Sequence, residues 1–187
     1  MSTRSYDVLV VGAGLVGAAC AFRLAEQGLR VGLIEALDAP AMGSTAKSAA
    51  GVRVQFSTEA NIRLSWESIQ EYEAFPELFG EDVGYRPIGY LLLVPQTDWE
   101  PHHAAVALQH RVGVPVEVLT PEAAQQLVAF DTTGIHSATF GPKDGVVDPH
   151  GATMAYLSMA RQRGSVVHVA TELLAAERAG GVWRVST

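Results

Sequence analysis

Val8-Leu9-Val10-Val11-Gly12-Ala13-Gly14-Leu15-Val16-Gly17 stands near the start of this chain of 187 residues. The run Tyr6–Val11 is apolar and rich in β-branched residues, which is typical of a strand buried on both faces of a parallel sheet. Leu15–Gln27 then shows the spacing of an amphipathic helix. Val31–Ile34 predicts a second buried strand, which ends at Glu35. Strand, helix and strand fit within about 30 residues, the size of one βαβ unit.

The glycines between the first strand and the helix match the pattern G-x-G-x-x-G. Gly12 permits a tight turn, Gly14 lets a diphosphate approach the backbone, and Gly17 lets helix and strand pack closely. The free N–H groups of the helix start, beginning at Leu15, would face that diphosphate. Glu35 follows the last glycine by 18 residues and can accept hydrogen bonds from an adenosine ribose. The sequence therefore predicts a dinucleotide-binding site.

The residues after the acid narrow the choice of dinucleotide. A 2′-phosphate calls for an arginine beside the ribose, but Ala36 and Leu37 follow Glu35. NADP is therefore disfavoured. NAD and FAD share the motif, and these residues do not separate them.

Composition excludes several other classes of protein. The net charge is −7, so the basic surface of a nucleic-acid-binding protein is absent. No window approaches the ~20 apolar residues of a membrane span, and the first residues lack a secretory signal, so we expect a cytoplasmic protein. The six histidines show no metal-ligand spacing, and no metal is expected. Cys20 is the only cysteine, and we expect it to be a small buried residue of the first helix.

The rest of the chain alternates between helical and strand patterns. Residues 36–56 have no clear period and predict a loop. A helix should begin after Ser57 or Thr58 and end at about Phe75, because Pro76 follows. Further strands are predicted at 84–86, 88–94, 114–119 and 165–169, helices at 99–111, 121–128 and 149–163, and a hairpin at 172–187 with its turn at Gly180-Gly181.

Several segments resemble one family of flavoproteins. Four residues extend the glycine motif as in FAD enzymes: Ala21, Leu24, Gly28 and Val31. Gly43–Phe56 resembles the segment that passes the flavin phosphates and ring in sarcosine oxidase and in the proline dehydrogenase β-subunit branch. Blocks at 59–62, 89–93 and 144–149 follow in order. The whole chain thus resembles the N-terminal half of the FAD-dependent amine oxidoreductases, which include D-amino-acid oxidase and glycine oxidase.

The resemblance implies an α/β fold and FAD as the cofactor. A Rossmann-like FAD-binding domain, with a βαβ unit, a mainly parallel sheet and a β-meander, would be interleaved with the start of a mixed-sheet substrate domain. Residues 1–82 and 145–187 would form the FAD-binding domain, and residues 83–144 the first part of the substrate domain. The later segments of the family are not in this sequence. We therefore expect either a missing C-terminal half or a partner subunit.

The resemblance also assigns roles to residues outside the glycine motif. Ser44 and Thr45 would donate hydrogen bonds to phosphate or ribityl oxygens, although hydroxyls often only cap loops. Lys47 would neutralise phosphate charge or lie near the flavin, with a solvated lysine as the alternative. The backbone of Leu173 would contact the adenine. No histidine lies near the phosphate loop, so we expect FAD to be bound non-covalently.

Arg53 matches the position where an arginine binds the substrate carboxylate in sarcosine oxidase. The alternative is a structural ion pair with Glu59 or another acid. Ala50 departs from that subgroup, which carries a further arginine there. The expected function is oxidation of the C–N bond of an amino acid or N-alkyl amino acid, such as sarcosine, proline or glycine. Two alternatives remain: the same fold acting on a 2-hydroxy acid or glycerol phosphate, and a non-catalytic FAD-holding subunit.

Overall fold

The computed structural model describes residues 3–187. It contains two compact units, one that runs up to Ala49 and resumes over Asp148–Thr187, and one formed by Ala50–Val147. The second unit begins well before residue 83, because the helix Glu59–Phe79 packs on the helix Trp99–Arg111. The assignment of residues to an FAD-binding and a substrate domain stays a prediction.

Residues 3–187 form both strands and helices. The strands are β1 (Val8–Val11), β2 (Val31–Ile34), β3 (Gly51–Val52), β4 (Tyr90–Pro95), β5 (Glu117–Leu119), β6 (Ile135–Gly141), β7 (Gly145–Val146), β8 (Val166–His168), β9 (Ala175–Ala179) and β10 (Val182–Ser186). The helices are α1 (Leu15–Glu26), α2 (Glu59–Phe79), α3 (Trp99–Arg111), α4 (Pro121–Ala124) and α5 (Pro149–Gln162). None of the helices in this part of the chain is long and apolar enough to cross a membrane.

A three-stranded parallel sheet forms the centre of the first unit. Its strand order is β1-β2-β8, with Val8 opposite Val31 and Val11 opposite Ile34. Every residue of β2 is buried, as a continuous apolar run predicts. Helices α1 and α5 pack against each other, and the fully buried Phe22 lies between them with its ring centroid 5.9 Å from that of Tyr156. The predicted βαβ unit is therefore confirmed, but β1, predicted to be buried on both faces, is only half-buried and its Val11 is 56 % exposed.

The first unit ends in an antiparallel hairpin. Strands β9 and β10 pair from Val182 opposite Ala179 to Ser186 opposite Ala175. Gly180 and Gly181 have φ angles of 58° and 84°. Residues with side chains rarely adopt such positive angles, and a two-residue turn that joins two antiparallel strands requires them. The hairpin predicted from the glycine pair is confirmed.

The second unit contains an antiparallel sheet with strand order β4-β6-β5. The central strand β6 was not predicted, because His136, Ser137 and Thr139 interrupt its apolar residues. Its burial is nonetheless deep, since Ala138 and Thr139 are both fully buried. A separate two-stranded ladder joins β3 to β7, with Gly51 opposite Val146 and Val52 opposite Gly145.

The structure corrects several local predictions. Helix α2 does not end before Pro76 but runs to Phe79, where Gly80 closes it in the left-handed conformation. A proline in the last turn removes one hydrogen bond, and the packing of Phe75 on Phe79, 4.7 Å between ring centroids, offsets that loss. Residues 84–86 form only a bridge from Arg86 to Val146, and α4 stops at Ala124. Cys20 is exposed, because the buried face of α1 is formed by Ala18, Ala21, Phe22 and Ala25.

Replacing Phe22 by alanine should strongly destabilise the first unit. The ring is fully buried, so its removal leaves a cavity that costs about 3–5 kcal/mol of the free energy of unfolding. Urea denaturation of the full-length protein measures the loss. Val16→Ala on the same helix is the control, because that side chain is 78 % exposed and its change should be within about 0.5 kcal/mol. Equal losses in the two variants would contradict the packing described here.

Candidate functional site

Three glycines bring the start of α1 against the end of β1. Gly12 has a φ of 98°, a conformation that favours glycine, and its N–H donates to the Ile34 carbonyl at 2.8 Å. A side chain at Gly17 would collide with the backbone carbonyl oxygen of Gly12. A Cβ at Gly14 would lie 3.0 Å from the Thr45 hydroxyl oxygen. The three positions therefore tolerate little besides glycine, for three different reasons.

The helix start is open to an anion. The N-cap residue, Gly14, has no side chain to cap the helix, and the first turn contains no acidic residue. The first amides of an α-helix have no partner within the helix, and the helix dipole makes this end positive. These features favour a bound phosphate.

Thr45 reaches the helix start from a different segment of the first unit. Its hydroxyl oxygen accepts a hydrogen bond from the Leu15 N–H at 3.1 Å. The hydroxyl proton remains available, so the same group can donate to a phosphate oxygen. The structure thus brings Thr45 to the glycine motif, and its contact with the cofactor stays a prediction.

Glu35 lies at the carboxyl end of β2, beside the glycine turn. One carboxylate oxygen accepts from the Ala13 N–H at 2.8 Å, and the other accepts from the Leu37 N–H at 2.9 Å. These two bonds fix the orientation of the carboxylate. Each oxygen has a further lone pair that can accept from a ribose hydroxyl.

The chain after β8 runs along the same edge of the sheet. The N–H groups of Ala170 and Thr171 donate to the carbonyls of Leu37 and Glu35, at 2.8 and 2.7 Å. Leu173 follows two residues later and is partly exposed. This places Leu173 on the segment that pairs with the backbone of Glu35, and its adenine contact stays a prediction.

Ser44 and Lys47 are both exposed on a run of turns. The carbonyl of Ser44 accepts from the N–H of Lys47 at 3.2 Å, so their backbones close one turn. Neither side chain is brought to the glycine motif by a hydrogen bond within the described residues. Their roles toward phosphate or flavin stay predictions.

The alternative to substrate binding by Arg53, in the second unit, was an ion pair with Glu59 or another acid, and Arg53 does not pair with Glu59. Glu59 instead pairs with Arg63 at 2.7 Å, one helical turn further along α2. The guanidinium carbon of Arg53 lies 5.4 Å from the centroid of the Phe56 ring. Such a contact orients an arginine without neutralising its charge.

A cavity of about 440 Å³ lies beside Arg53. One face of α2 lines it with Leu64, Ser65, Ser68, Ile69 and Tyr72. The remaining walls come from Phe56, Tyr90 and the segment Gly51–Arg53. Of the described residues that line the cavity, only Arg53 carries a positive charge and none is acidic. Burial raises the pKa of the Tyr72 hydroxyl, which keeps this group protonated at neutral pH.

A buried polar network lies behind the Arg53 segment. Asp144 is fully buried, and its two carboxylate oxygens accept from the Val54 N–H at 2.8 Å and from Gln55 Nε2 at 2.9 Å. Burial raises the pKa of this carboxyl, while Gln55, Val54 and the charge of Arg53 act in the opposite direction. The Thr139 hydroxyl donates to Gln55 Oε1 at 2.8 Å.

The network ends at His102. The proton of the Thr139 hydroxyl is used toward Gln55, so the contact of 2.9 Å from His102 Nε2 requires Nε2 to be the donor. Burial lowers the pKa of His102, which favours the neutral ring, and the contact with Thr139 then places its proton on Nε2. Among the described residues no group of three or more His, Cys, Asp or Glu side chains could hold a metal ion.

Sequence reasoning did not identify Gln55, Thr139 or Asp144. Gln55 and Asp144 lie inside the segments 43–56 and 144–149, which carry the family resemblance. That position was the only sign in the sequence that they matter. Polar residues of this kind have no periodic pattern, and the partners are 84 to 90 positions apart in the chain. Only the fold shows that they meet.

Replacing Glu35 by alanine should weaken binding of FAD about ten- to hundredfold. Hydrogen bonds to a charged group contribute roughly 1.5–3 kcal/mol, and this variant removes the ribose acceptor and the anchor of the Ala13 N–H. Titration of the apoprotein with FAD measures the dissociation constant. Asp38→Ala is the control, since it removes the same charge from an exposed position three residues away. Unchanged affinity in Glu35→Ala would contradict the ribose assignment.

Comparison with known proteins gives a consistent result. Residues 7–187 match the family described as FAD dependent oxidoreductase. The chain is 33 % identical to FAD-dependent oxidoreductase domain-containing protein 1 of Bos taurus, over 76 % of this chain and 32 % of that protein. It is 28 % identical to the mitochondrial dimethylglycine dehydrogenase of Mus musculus, over 97 % of this chain and 21 % of that protein.

The structure is also similar to a solved one. The L-proline dehydrogenase from P. horikoshii superimposes with a TM-score of 0.86 and 29 % identity, over 96 % of this chain and 48 % of that one. This chain therefore spans between a fifth and a half of the length of these three relatives. Because the family match covers nearly every residue and agrees with the glycine motif and its geometry, the chain belongs to the FAD-dependent oxidoreductases.

Proposed function

We propose that the protein containing this chain oxidises the C–N bond of an amino acid or an N-alkyl amino acid. The observation that carries the proposal is the Arg53 cavity, whose lining among the described residues contains one cation, no acid and several apolar side chains. A guanidinium presents paired N–H donors that match a carboxylate. Two of the relatives are named for dimethylglycine and L-proline, which both carry a carboxylate beside an amine.

The residues present fit the family cofactor. The space beside Gly12 is open at a helix start without a side-chain cap, and Glu35 is held in place to accept from a ribose. Gly12, Gly14, Leu15, Gly17 and Thr45 would hold the diphosphate. FAD, when bound, supplies the redox chemistry by taking the two electrons removed from the substrate.

The chain's own residues would bind and orient the substrate. Arg53 would hold its carboxylate, with the guanidinium steadied against the Phe56 ring. Phe56, Leu64 and Ile69 would give the carbon atoms an apolar surface that excludes water. The protonated hydroxyl of Tyr72 can donate a hydrogen bond within the same cavity.

A panel of reductants should separate this proposal from its alternatives. We expect sarcosine, dimethylglycine, glycine or L-proline to bleach the visible flavin absorption of the full-length protein under anaerobic conditions. Lactate and glycerol 3-phosphate should leave it unchanged. Bleaching by lactate alone would favour a 2-hydroxy acid, which shares the carboxylate but not the amine. A flavin that none of these compounds reduces would favour a non-catalytic FAD-holding subunit that needs a partner chain.

Substitution of Arg53 should lower the rate of substrate oxidation more than it lowers stability. Removing a positioned charged hydrogen bond costs about 1.5–3 kcal/mol, so kcat/KM of Arg53→Ala should fall about ten- to hundredfold. Arg53→Lys keeps the charge but loses the paired donors, so its kcat/KM should lie between those of wild type and Arg53→Ala. Steady-state kinetics at equal FAD content measure the effect.

Arg63→Ala provides a matched control for Arg53→Ala. Arg63 lies ten residues further along, and its exposed ion pair with Glu59 contributes less than about 1 kcal/mol. Its kcat/KM should remain unchanged. Normal kcat/KM in Arg53→Ala, with only a lower melting temperature, would leave Arg53 a structural role.

A further inference from the structure

We propose that Asp144 is a positioning residue that fixes the segment Arg53–Phe56 and so aims Arg53 into the cavity. The inference rests on the proposed role of Arg53 in binding a substrate carboxylate. Asp144 does not line the cavity and comes from the other end of the second unit's sequence. The inference nevertheless gives it a part in substrate recognition.

Both carboxylate oxygens of Asp144 are committed to the two residues that follow Arg53. Oδ1 accepts from the Val54 backbone N–H, and Oδ2 accepts from the Gln55 side chain. A fully buried carboxylate is costly unless it is hydrogen-bonded, so these two bonds are needed for Asp144 to be buried at all. The same two bonds leave the segment little freedom to move.

The Asp144 side chain supports the chain where the backbone ladder ends. Strands β3 and β7 pair through only two residues, and the last pair joins Val52 to Gly145. Beyond that pair, the Asp144 carboxylate accepts from the Val54 N–H, which the ladder does not reach. Without this hydrogen bond, only the two-residue ladder would hold the backbone around Arg53 on that side.

The neighbouring glycines make room for this arrangement. A Cβ at Gly141 would collide with Asp144 Oδ2 and lie 2.8 Å from Gln55 Nε2. A Cβ at Gly145 would collide with the backbone carbonyl oxygen of Arg86. The turn from β6 to β7 therefore has room for the Asp144 carboxylate because residue 141 lacks a side chain, and residue 145 lies close to Arg86 because it lacks one too.

Gln55 extends the support to a second wall of the cavity. Its Nε2 donates to the Tyr90 carbonyl at 3.0 Å as well as to Asp144, and its Oε1 accepts from Thr139. On the far side, Gln109 Nε2 donates to the Phe56 carbonyl at 2.8 Å. These hydrogen bonds therefore hold the backbone of the segment that follows Arg53 and tie it to the Tyr90 carbonyl.

The test compares Asp144→Asn with wild type in the full-length protein loaded with FAD. Asparagine keeps the shape and can still accept from Val54, but its amide group faces the Gln55 amide, so two donors oppose each other. The dissociation constant comes from anaerobic flavin bleaching by the fastest compound among sarcosine, dimethylglycine, glycine and L-proline. We expect it to rise about tenfold.

A second substitution distinguishes positioning from general damage. Combining Asp144→Asn with Gln55→Glu restores a donor facing an acceptor, and the introduced carboxylate can still accept from Thr139. The exchange loses the bond from residue 55 to the Tyr90 carbonyl, so the recovery is incomplete. Substrate affinity should recover in part. In an Arg53→Ala background, Asp144→Asn should have no additional effect, because the group it positions is gone.

Hydrogen exchange gives a measurement that does not depend on activity. In Asp144→Asn the Val54 amide should exchange faster, because a neutral amide oxygen is a weaker acceptor than the carboxylate oxygen that it replaces. Thr139→Val removes the hydroxyl that donates to Gln55 and should raise the dissociation constant about threefold. This variant replaces Asp144→Asn in the test if the asparagine variant does not fold. Thr120→Ala, which removes a helix cap in the same unit, is the stability control and should leave substrate affinity unchanged.

The outcomes separate the two proposals. Substrate affinity that is normal in both Asp144→Asn and Thr139→Val, but lost in Arg53→Ala, overturns the positioning role and leaves the proposed function standing. Normal affinity in Arg53→Ala overturns both. Additive effects of Arg53→Ala and Asp144→Asn also overturn the positioning role, since they show that the two residues act independently.

Discussion

The backbone of α1 lies directly against the backbone at the end of β1, because residue 17 has no side chain. This close approach fixes where the helix starts relative to the sheet. It sets the open amides of the helix next to the carboxyl end of β2, where Glu35 holds the Ala13 N–H. A methyl group at residue 17 would collide with the Gly12 carbonyl oxygen, so the helix could not approach the strand this closely. The features that fit a diphosphate and a ribose therefore depend on one contact between main-chain atoms.

The second unit depends on a polar rather than a steric constraint. Asp144 is buried, and its partners are a backbone amide and a side chain that itself contacts two further strands through Tyr90 and Thr139. Buried polar groups of this kind contribute specificity more than stability, because each bond mainly offsets the cost of burial. Through these bonds, the wall of the cavity beside Arg53 is held in place although its backbone forms no regular secondary structure.

Much of the fold could be predicted from the sequence, and the reasons are local. The bounds of β2 and α3 agree with the predicted ones, because apolar runs and helical spacing record burial directly. Strand β6 was missed, since its polar residues conceal a central position in the sheet. Helix α2 passes Pro76 because packing between Phe75 and Phe79 outweighs a local preference. The first error arises from tertiary packing in the sheet, and the second from a contact between side chains one turn apart in the same helix.

The sequence by itself determined the dinucleotide motif and the place of Glu35 after it, because these depend on glycine positions and short spacings along one βαβ unit. The family followed from the resemblance of further segments, above all Gly43–Phe56. Resemblance to the family also indicated Arg53. Only the tertiary structure decided that Glu59 pairs with Arg63 and that Arg53 lines the cavity. It also decided that Asp144, Gln55 and Thr139 meet in the core. Contacts between residues 84 to 90 positions apart follow from how strands and loops pack together, and no local pattern in the chain encodes them.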